Sequence, residues 1–294
     1  MQLFTTAEAA AYLRLKERKI YEMVAEGAVP CTKVTGRWLF PKAELDHWLA
    51  SSVTRPAGMT GAAPPPIVAG SHDPLLDWAL RESGSGIAML AVGSEAGFTR
   101  FLAGETLAAS MHLHALEDID GDANVAAMSA RSDVQDAVLV GFCRREQGFL
   151  VASENPLKLN SIEDVIGKRA RIAMRPKGAG AQLLLLALLH RAKQSLEALV
   201  AASPICPTGP DIAQAIRAGR ADIGVATRAV ADAAGLSFVP IAWEPFDLVM
   251  RQRDYFRLAL QTLLKFLHSD ALKARAQEMG GYDLASAGQV RFVV

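Results

Sequence analysis

The chain has 294 residues, of which 51% are hydrophobic, and its 31 basic and 31 acidic side chains give a formal net charge of zero at pH 7. This length and apolar content predict at least two packed domains and exclude a disordered chain. The balanced charge excludes DNA binding through bulk positive charge, so any contact with DNA must come from a local group of basic residues.

The three cysteines also limit the class of protein. Cys31, Cys143 and Cys206 are far apart and form no CxxC pair, which argues against a disulfide framework and against a zinc site. The first residues lack the basic and apolar segments of a secretory signal, and no apolar stretch approaches the length of a membrane span. We therefore expect a cytoplasmic protein that does not enter a membrane.

The first fifty residues have the pattern of a small helical module with a hairpin. Thr5 and Glu8 have the spacing of a capping box, which predicts that a helix begins here. Apolar residues at helical spacing predict a second short helix that ends near Gly27. β-Branched and aromatic residues on both sides of Thr35-Gly36 predict a hairpin, and Pro41 suits the first turn of a third helix.

In this order of elements, the segments TTAEAAAYL and KIYEMVAEGAVPCTKVTGRWLFPKAELDHWL resemble the excisionase-type branch of the winged helix-turn-helix modules related to the MerR regulators. The resemblance covers residues 1–52 and implies that the second helix enters the major groove of double-stranded DNA while the hairpin acts as a wing. Carried over by position, the DNA-binding residues would be Lys16, Arg18, Lys19, Tyr21, Lys33 and Arg37. The alternative is that these side chains only solvate an exposed face.

The remainder of the chain has a different pattern. Residues 53–66 are rich in proline, glycine and small side chains, which predicts a linker. From Ile67 onward, short apolar runs alternate with helical segments, which predicts an α/β fold with parallel strands. Asp73 and Pro74 predict the start of a helix, and residues 181–201 predict a long apolar helix. The predicted strands include 111–116, 137–142, 148–152, 236–241 and 246–250.

Residues 67–294 resemble the type II periplasmic-binding-protein fold, and more closely the sensor domains of this kind that are fused to helix-turn-helix heads and related to molybdate and tungstate receptors. The segments that carry the likeness are 70–74, 92–94, 144–148, 175–180, 218–224 and 280–283. The resemblance implies an α/β, two-lobe clamshell, with lobe 1 at about 67–150 and 246–294 and lobe 2 at about 151–245. The winged helix-turn-helix domain at 1–52 would precede it.

A cleft of this kind suits an anion, because helix N-termini at the carboxyl ends of parallel strands offer unpaired amides. The resemblance implies molybdate or tungstate as the effector and no cofactor. The expected ligand-binding residues are Ser71, His72, Ser94, Arg145, Gly178, Ala179, Gly180, Thr208 and Thr227. Relatives commonly have Ser-Gly-Thr in the second-lobe loop where this chain has Ala179-Gly180-Ala181. An organic acid or a pterin-type cofactor precursor is therefore a competing ligand.

Catalysis is not expected, because the G-x-S-x-G, H-E-x-x-H and G-x-x-x-x-G-K-[ST] motifs are absent from the sequence. His112 and His114 would share one face of a strand and so raise a metal hypothesis, but no third ligand lies at a suitable spacing, and no metal site is predicted. Two functions stay open. One is a homodimeric, one-component transcriptional regulator, and the other is a cytoplasmic oxyanion or molybdenum-cofactor-precursor carrier whose head binds a protein.

Overall fold

The computed structural model describes residues 2–52, 63–116, 122–131, 134 and 136–294. Backbone contacts divide the chain into two compact units, Met1–Ala62 and Ala63–Val294, which we call the head unit and the main unit. Most of the predicted linker, residues 53–62, lies outside the described residues. Within the described residues, every helix is too short or too polar to cross a membrane.

The head unit contains the helices and the hairpin that the sequence predicts. Its elements are β1 (Leu3–Phe4), α1 (Thr6–Leu13), α2 (Glu17–Ala25), β2 (Thr32–Val34), β3 (Arg37–Pro41) and α3 (Lys42–Ser52). The capping box is present at α1: the Thr5 amide donates to the Glu8 carboxylate at 2.8 Å, and the Glu8 amide donates to the Thr5 hydroxyl at 3.3 Å. Pro41 does not open the third helix, because it pairs with Leu3 of β1 and so ends β3.

The buried face of each head element meets the others in one small core. Its fully or nearly fully buried members are Ala9, Ala10, Ile20, Val29, Phe40 and Leu45. They come from both helices of the helix pair, from the hairpin and from α3. The helical spacing of the apolar residues therefore reflects packing against the hairpin, as the sequence predicts.

The main unit is built around one ten-stranded sheet, within the residues described. Its strands are β4 (Ile67–Gly70), β5 (Ala88–Ala91), β6 (Ala108–Met111), β7 (Ala137–Val151), β8 (Arg171–Ala173), β9 (Val200–Ala202), β10 (Ile223–Thr227), β11 (Ser237–Arg251), β12 (Tyr282–Asp283) and β13 (Val290–Val293). Its helices are α4 (Pro74–Glu82), α5 (Ser94–Leu102), α6 (Ala123–Ser129), α7 (Ile162–Gly167), α8 (Gly180–Arg191), α9 (Gly209–Arg217), α10 (Arg228–Ala234), α11 (Gln252–Tyr255), α12 (Leu258–Phe266) and α13 (Asp270–Met279).

The sheet consists of two parallel groups joined by an antiparallel pair. Its strand order is β5-β4-β6-β11-β7-β10-β8-β9, with β12 and β13 also paired to β7. Strand β4 is parallel to β5 and β6, and β8 is parallel to β9 and β10. Strands β11 and β7 are antiparallel to each other and to the groups that flank them. The parallel prediction is therefore correct for the two ends of the sheet only.

The two central strands are longer than predicted. Four separate segments were expected, but 137–151 and 237–251 each form one continuous strand of 15 residues. The polar residues between the apolar runs do not end the strands, because their backbones pair across the sheet, with Glu244 opposite Arg145. Register shifts interrupt this pairing at Pro240/Ala242 and at Phe246/Asp247. These two strands join the two ends of the sheet.

Two further predictions were wrong about element bounds. The third strand ends at Met111 rather than spanning 111–116, so His112 and His114 follow the strand instead of sharing its face. Helix α8 ends at Arg191 instead of continuing to residue 201. The backbone turns left-handed at Lys193, with φ 53°, and residues 200–202 then pair with β8 as an edge strand.

Separate hydrophobic cores show that the main unit has two lobes. On β7, Val138 and Val140 belong to one core and Leu139 to another, which places these two cores on opposite faces of the sheet. The same alternation at Phe149 and Leu150 separates two cores at the other end. Each lobe is thus covered by helices on both faces, which confirms the two-lobe α/β fold. We keep 67–150 with 246–294 and 151–245 as the proposed lobe boundaries.

Gly97 allows helix α5 to lie directly against strand β4, because a Cβ at this position would be 2.3 Å from the Cα of Gly70. We expect Gly97→Ala to lower the free energy of unfolding by about 1–3 kcal/mol, measured by urea denaturation. Gly167→Ala is the matched control, since a Cβ there meets nothing within 4 Å. Equal unfolding free energies for the two variants would contradict this account of the packing.

Candidate functional site

Two adjoining cavities lie between the lobes of the main unit. The inner pocket has a volume of about 20 Å³ and the outer cleft a volume of about 930 Å³. The two cavities share part of their wall, because both are lined by His72, Pro74 and Val230. The polar residues that line the inner pocket are Ser71, His72, His112, Arg145, Gln147, Arg175 and Thr227.

Arg145 is buried in the wall of the inner pocket, between two carboxylates. Its Nε donates to Glu244 Oε1 at 2.7 Å and its Nη1 donates to Asp73 Oδ2 at 2.9 Å. The guanidinium also lies 4.1 Å from the centroid of the Phe246 ring. Burial alone would lower the pKa of Arg145, but the charges of Glu244 and Asp73 outweigh it and raise the pKa. The positive charge of Arg145 is therefore already compensated.

His112 receives the third hydrogen bond of Arg145. The Nη2 of Arg145 lies 2.6 Å from Nδ1 of His112. Because a guanidinium only donates, Nδ1 must accept, and the proton of the neutral ring lies on Nε2. Burial lowers the pKa of His112 well below its usual value, so the ring is neutral at pH 7. The buried Nε2 has no hydrogen-bond partner, since Glu244 Oε1 is 3.6 Å away.

Arg175 differs from Arg145 in its burial and in its partners, since its side chain is only half-buried. Its Nε is buried without a hydrogen-bond partner, and none of the ion pairs within the described ranges includes it. Burial and the positive charge of Arg145 lower the pKa of Arg175 to about 10, so the side chain is still protonated at pH 7. Its backbone amide donates to Gln182 Oε1 at 3.0 Å, which holds the loop at the start of α8. The charge of Asp211 opposes the lowering of the pKa of Arg175, but Asp211 forms no ion pair with Arg175, so Arg175 gives the inner pocket a positive charge that is not directly paired among the described residues.

Other polar atoms of the inner pocket also lack partners. Thr227, which precedes α10, has a buried Oγ1 with no hydrogen bond. Gln147 donates through Nε2 to Glu244 at 3.0 Å, which leaves its buried Oε1 unpartnered. Among the described residues, eight buried side-chain polar atoms have no partner, and four of them belong to this pocket. Native interiors leave few such atoms, so their concentration here indicates a place for a polar ligand.

The lobes touch beside the inner pocket through the loop that precedes α8. The Glu95 amide donates to the Gly178 carbonyl at 3.3 Å. A Cβ at Gly180 would lie 2.1 Å from His112 Nε2, so only glycine permits this approach of the two lobes. The amides of Gly180 and Ala181 open α8 and have no partner within the helix. Ala181 lines the inner pocket.

The nine residues that the sequence predicts for ligand binding lie in three different places in the structure. Those that line the inner pocket are Ser71, His72, Arg145 and Thr227. Gly178, Ala179 and Gly180 lie at the contact between the lobes. The Ser94 hydroxyl donates to the His112 carbonyl at 2.9 Å, and the Thr208 hydroxyl donates to Asp211 at 2.6 Å. All nine assignments stay predictions.

Sequence reasoning missed three of the polar residues of the pocket, namely His112, Gln147 and Arg175. The signal for Arg175 was its position in the loop after β8, immediately before the glycine-containing turn into α8. Gln147 lies within β7 and gave no signal, because its polar run was interpreted as a break between strands. Among the described residues there is no group of three or more histidine, cysteine or acidic side chains that could hold a metal ion.

The six residues predicted to bind DNA are all exposed on the head unit: Lys16, Arg18, Lys19, Tyr21, Lys33 and Arg37. Lys16 precedes α2, and the next three of these residues lie on that helix. Arg18 and Lys19 both pair with Glu22, at 3.4 and 3.3 Å. On the hairpin, the Lys33 ammonium lies 5.1 Å from the centroid of the Trp38 ring. The assignments to DNA contact stay predictions.

The fold and the pocket define a two-lobe α/β protein with an interlobe pocket and a separate unit of three helices and a hairpin. A family model described as the PBP superfamily domain matches residues 77–268, which is more than half of the chain. The chain therefore belongs to the PBP superfamily. A second family model, described as a helix-turn-helix domain, matches residues 3–52 and confirms the identity of the head.

Relatives extend this comparison over the whole chain. The uncharacterized protein YvgK of Bacillus subtilis (strain 168) is 21% identical over 302 residues, which cover 98% of this chain and 97% of that protein. A Clostridium perfringens substrate-binding protein solved with bound phosphate is 12% identical, with a TM-score of 0.52, and covers 74% of this chain and 99% of that chain. The tungstate ABC transporter from Geobacter sulfurreducens is 15% identical, with a TM-score of 0.51 and coverage of 72% and 97%. These two structures show the fold alone.

Because His112 is buried, we expect the stability of the main unit to depend on pH. Because burial lowers its pKa from 6.5 in the folded state, the unfolded chain binds more protons, and stability falls as the pH falls through the unfolded pKa. Burial lowers the pKa of His72 too, with the same sign. We expect the midpoint of thermal unfolding to fall between about pH 7.5 and about pH 5.5.

The variant His112→Asn keeps an acceptor for Arg145 but does not titrate. We expect its thermal midpoint, measured by scanning calorimetry, to depend less on pH than that of the natural protein. The slope that remains would come from His72 and from other titrating groups. An unchanged slope in the variant would show that His112 is not held neutral in the folded state.

Proposed function

We propose that this protein is a cytoplasmic one-component transcription regulator, whose head binds double-stranded DNA and whose main unit senses a small anion. The observation that carries the anion assignment is Arg175, a half-buried, protonated guanidinium whose buried Nε has no hydrogen-bond partner and which forms no ion pair among the described residues. An anion beside Arg175 would provide the missing charge and relieve its repulsion by Arg145. The helix-turn-helix head supports the assignment to DNA.

The donors of the inner pocket favour a ligand rich in acceptor oxygens. Arg175 Nε, His112 Nε2 and Thr227 Oγ1 are buried and unpartnered, and the first amides of α8 lie beside them. Helix N-termini bind anions through such amides. Molybdate and tungstate are the inorganic anions that the sequence resemblance favours, and they belong with phosphate and sulfate in the first set of probes.

Regulation requires that anion binding changes the conformation of the main unit and that this change alters DNA binding by the heads. We propose that the anion stabilises the lobe contact at which the Glu95 amide meets the Gly178 carbonyl, because this contact lies next to the inner pocket. An anion shifts the closed population only to the extent that it binds the closed form more tightly. We also propose a homodimer, since helix-turn-helix proteins commonly read two half-sites.

The wing residue Arg37 tests the DNA assignment. We expect the protein to retard the DNA upstream of its own gene in a mobility-shift assay, and Arg37→Ala to weaken binding and reduce the salt slope by about 1. Arg191→Ala is the control, because Arg191 is an exposed arginine of the main unit, at the end of α8. If no salt-sensitive, sequence-specific shift were found, the carrier with a protein-binding head would be favoured instead.

Arg175 tests the anion assignment. Because hydrogen bonds to charged groups are worth about 1.5–3 kcal/mol, Arg175→Gln should weaken the affinity for the bound anion roughly 10-fold to 150-fold. The measurement is isothermal titration with molybdate, tungstate, phosphate and sulfate. Arg220→Gln removes an exposed arginine of the same lobe and should leave affinity unchanged.

A thermal scan of the ligand-free variant separates a binding role from a structural one. Within the part of the chain that the structure describes, the Arg175 side chain forms no ion pair, its Nε has no partner, and Arg145 repels it, so Arg175→Gln should not lower the thermal midpoint. A lower midpoint together with unchanged anion affinity would show that Arg175 stabilises the fold instead of binding a ligand.

A further inference from the structure

The outer cleft stays open although the lobes already touch. The Glu95 amide reaches the Gly178 carbonyl, and the backbone at Gly180 lies against His112, so the inner end of the interlobe space is closed. A cavity of about 930 Å³ nevertheless remains between α4 and α13 of one lobe and α9 and α10 of the other. The contact at the inner pocket therefore coexists with an open outer cleft.

The two cavities differ in the size of the group that they accept. The inner pocket, at about 20 Å³, has room for one group of about the size of a water molecule. The outer cleft lies within the range of about 300–1,000 Å³ that is usual for small-molecule sites. His72, Pro74 and Val230 line both cavities, so one molecule can place a terminal group inside and its body outside.

The wall of the outer cleft suits an organic body. Trp78 and Met279 contribute apolar surface from one lobe, and Ala213 and Val230 contribute it from the other. Arg275 adds a polar group whose Nη1 donates to Glu278 at 2.7 Å; its guanidinium lies 5.8 Å from the centroid of the Trp78 ring, and its buried Nε has no hydrogen-bond partner. This wall therefore offers apolar surface beside one unpartnered donor atom, Arg275 Nε, and a bare inorganic ion would not use that surface.

We infer that the natural effector is an organic anion that spans both cavities. Its acidic group, a carboxylate or a phosphoryl group, places an oxygen in the inner pocket at Arg175 and Thr227. Its body is a ring or an apolar chain that lies along Trp78, with an acceptor oxygen toward Arg275. The inference rests on the proposed anion-sensing function for the inner group, and it adds the class of molecule to which that group belongs.

The experiment compares anions that share an acidic group but differ in the body. Affinities of the full chain are measured by titration calorimetry for phosphate against phenyl phosphate, for acetate against phenylacetate, and for molybdate and tungstate. We expect the phenyl compound of at least one pair to bind about tenfold or more tightly than its partner, because the ring is buried in the outer cleft. Arg175→Gln should weaken both members of that pair.

Filling the outer cleft provides the matched test. Ala233 is exposed on α10 and lines the cleft, so Ala233→Trp should remove the advantage of the phenyl compound and leave binding of the ringless anion unchanged. Ala218→Trp fills the same cleft from the end of α9 and serves if the first variant does not fold. Ala126→Trp is the control, because Ala126 is exposed on α6, away from the cleft.

The possible results separate this inference from the proposed function. Affinities within about twofold in both pairs, or tungstate or molybdate binding more tightly than every phenyl compound, would overturn the organic effector and leave the anion sensor intact. An advantage of the phenyl compound that survives both cleft-filling variants would also overturn it. If none of the probes bound and Arg175→Gln changed nothing, the anion-sensing function itself would fail.

Discussion

The buried charge of Arg145 is the constraint on which the interlobe cleft depends. Its guanidinium joins the turn before α4, through Asp73, to the opposite central strand, through Glu244. Loss of one partner of such a buried pair typically costs about 3–5 kcal/mol, because the remaining charge is left uncompensated. Burial alone would raise the pKa of Glu244, but the charge of Arg145 and the hydrogen bond from His114 at 2.7 Å outweigh it and lower that pKa. The cluster therefore keeps the wall of the inner pocket in one arrangement.

The two arginines of the inner pocket have different roles because their surroundings differ. The guanidinium of Arg145 donates to two carboxylates and to an imidazole and lies against an aromatic ring, so its charge and its donors are already satisfied without a ligand. Arg175 is only half-buried, forms no ion pair with a carboxylate among the described residues, and its buried Nε is unsatisfied. The paired Arg145 stabilises the wall of the inner pocket, while the unpaired Arg175 is available to bind an anion. A protein with a formal net charge of zero can thus still attract an anion at one site.

Local signals in the sequence predicted the head unit and the starts of several helices. The capping box at Thr5 and the Asp73-Pro74 helix start are decided by residues within one turn, and both are present. The continuity of β7 and β11 was missed, because it depends on backbone pairing between residues about a hundred positions apart. The absence of a counter-ion at Arg175 is likewise a property of the folded cleft. The spacing of residues in the sequence does not show which charge lacks a partner, because that depends on which side chains the fold brings together.

The two register shifts in the central strands compensate each other. Ile241 is the additional residue on β11, and Phe142 is the additional residue on β7, so the pairing regains its original offset beyond Phe246. Between the two shifts, from Ala242 to Phe246, the pairing of β11 with β7 is displaced by one residue. Glu244 pairs with Arg145 within this displaced stretch. Deletion of either extra residue would turn the side chains of one lobe core or of the ion cluster to the wrong face. We therefore expect homologues to vary in loop length while these two strands keep equal numbers of residues.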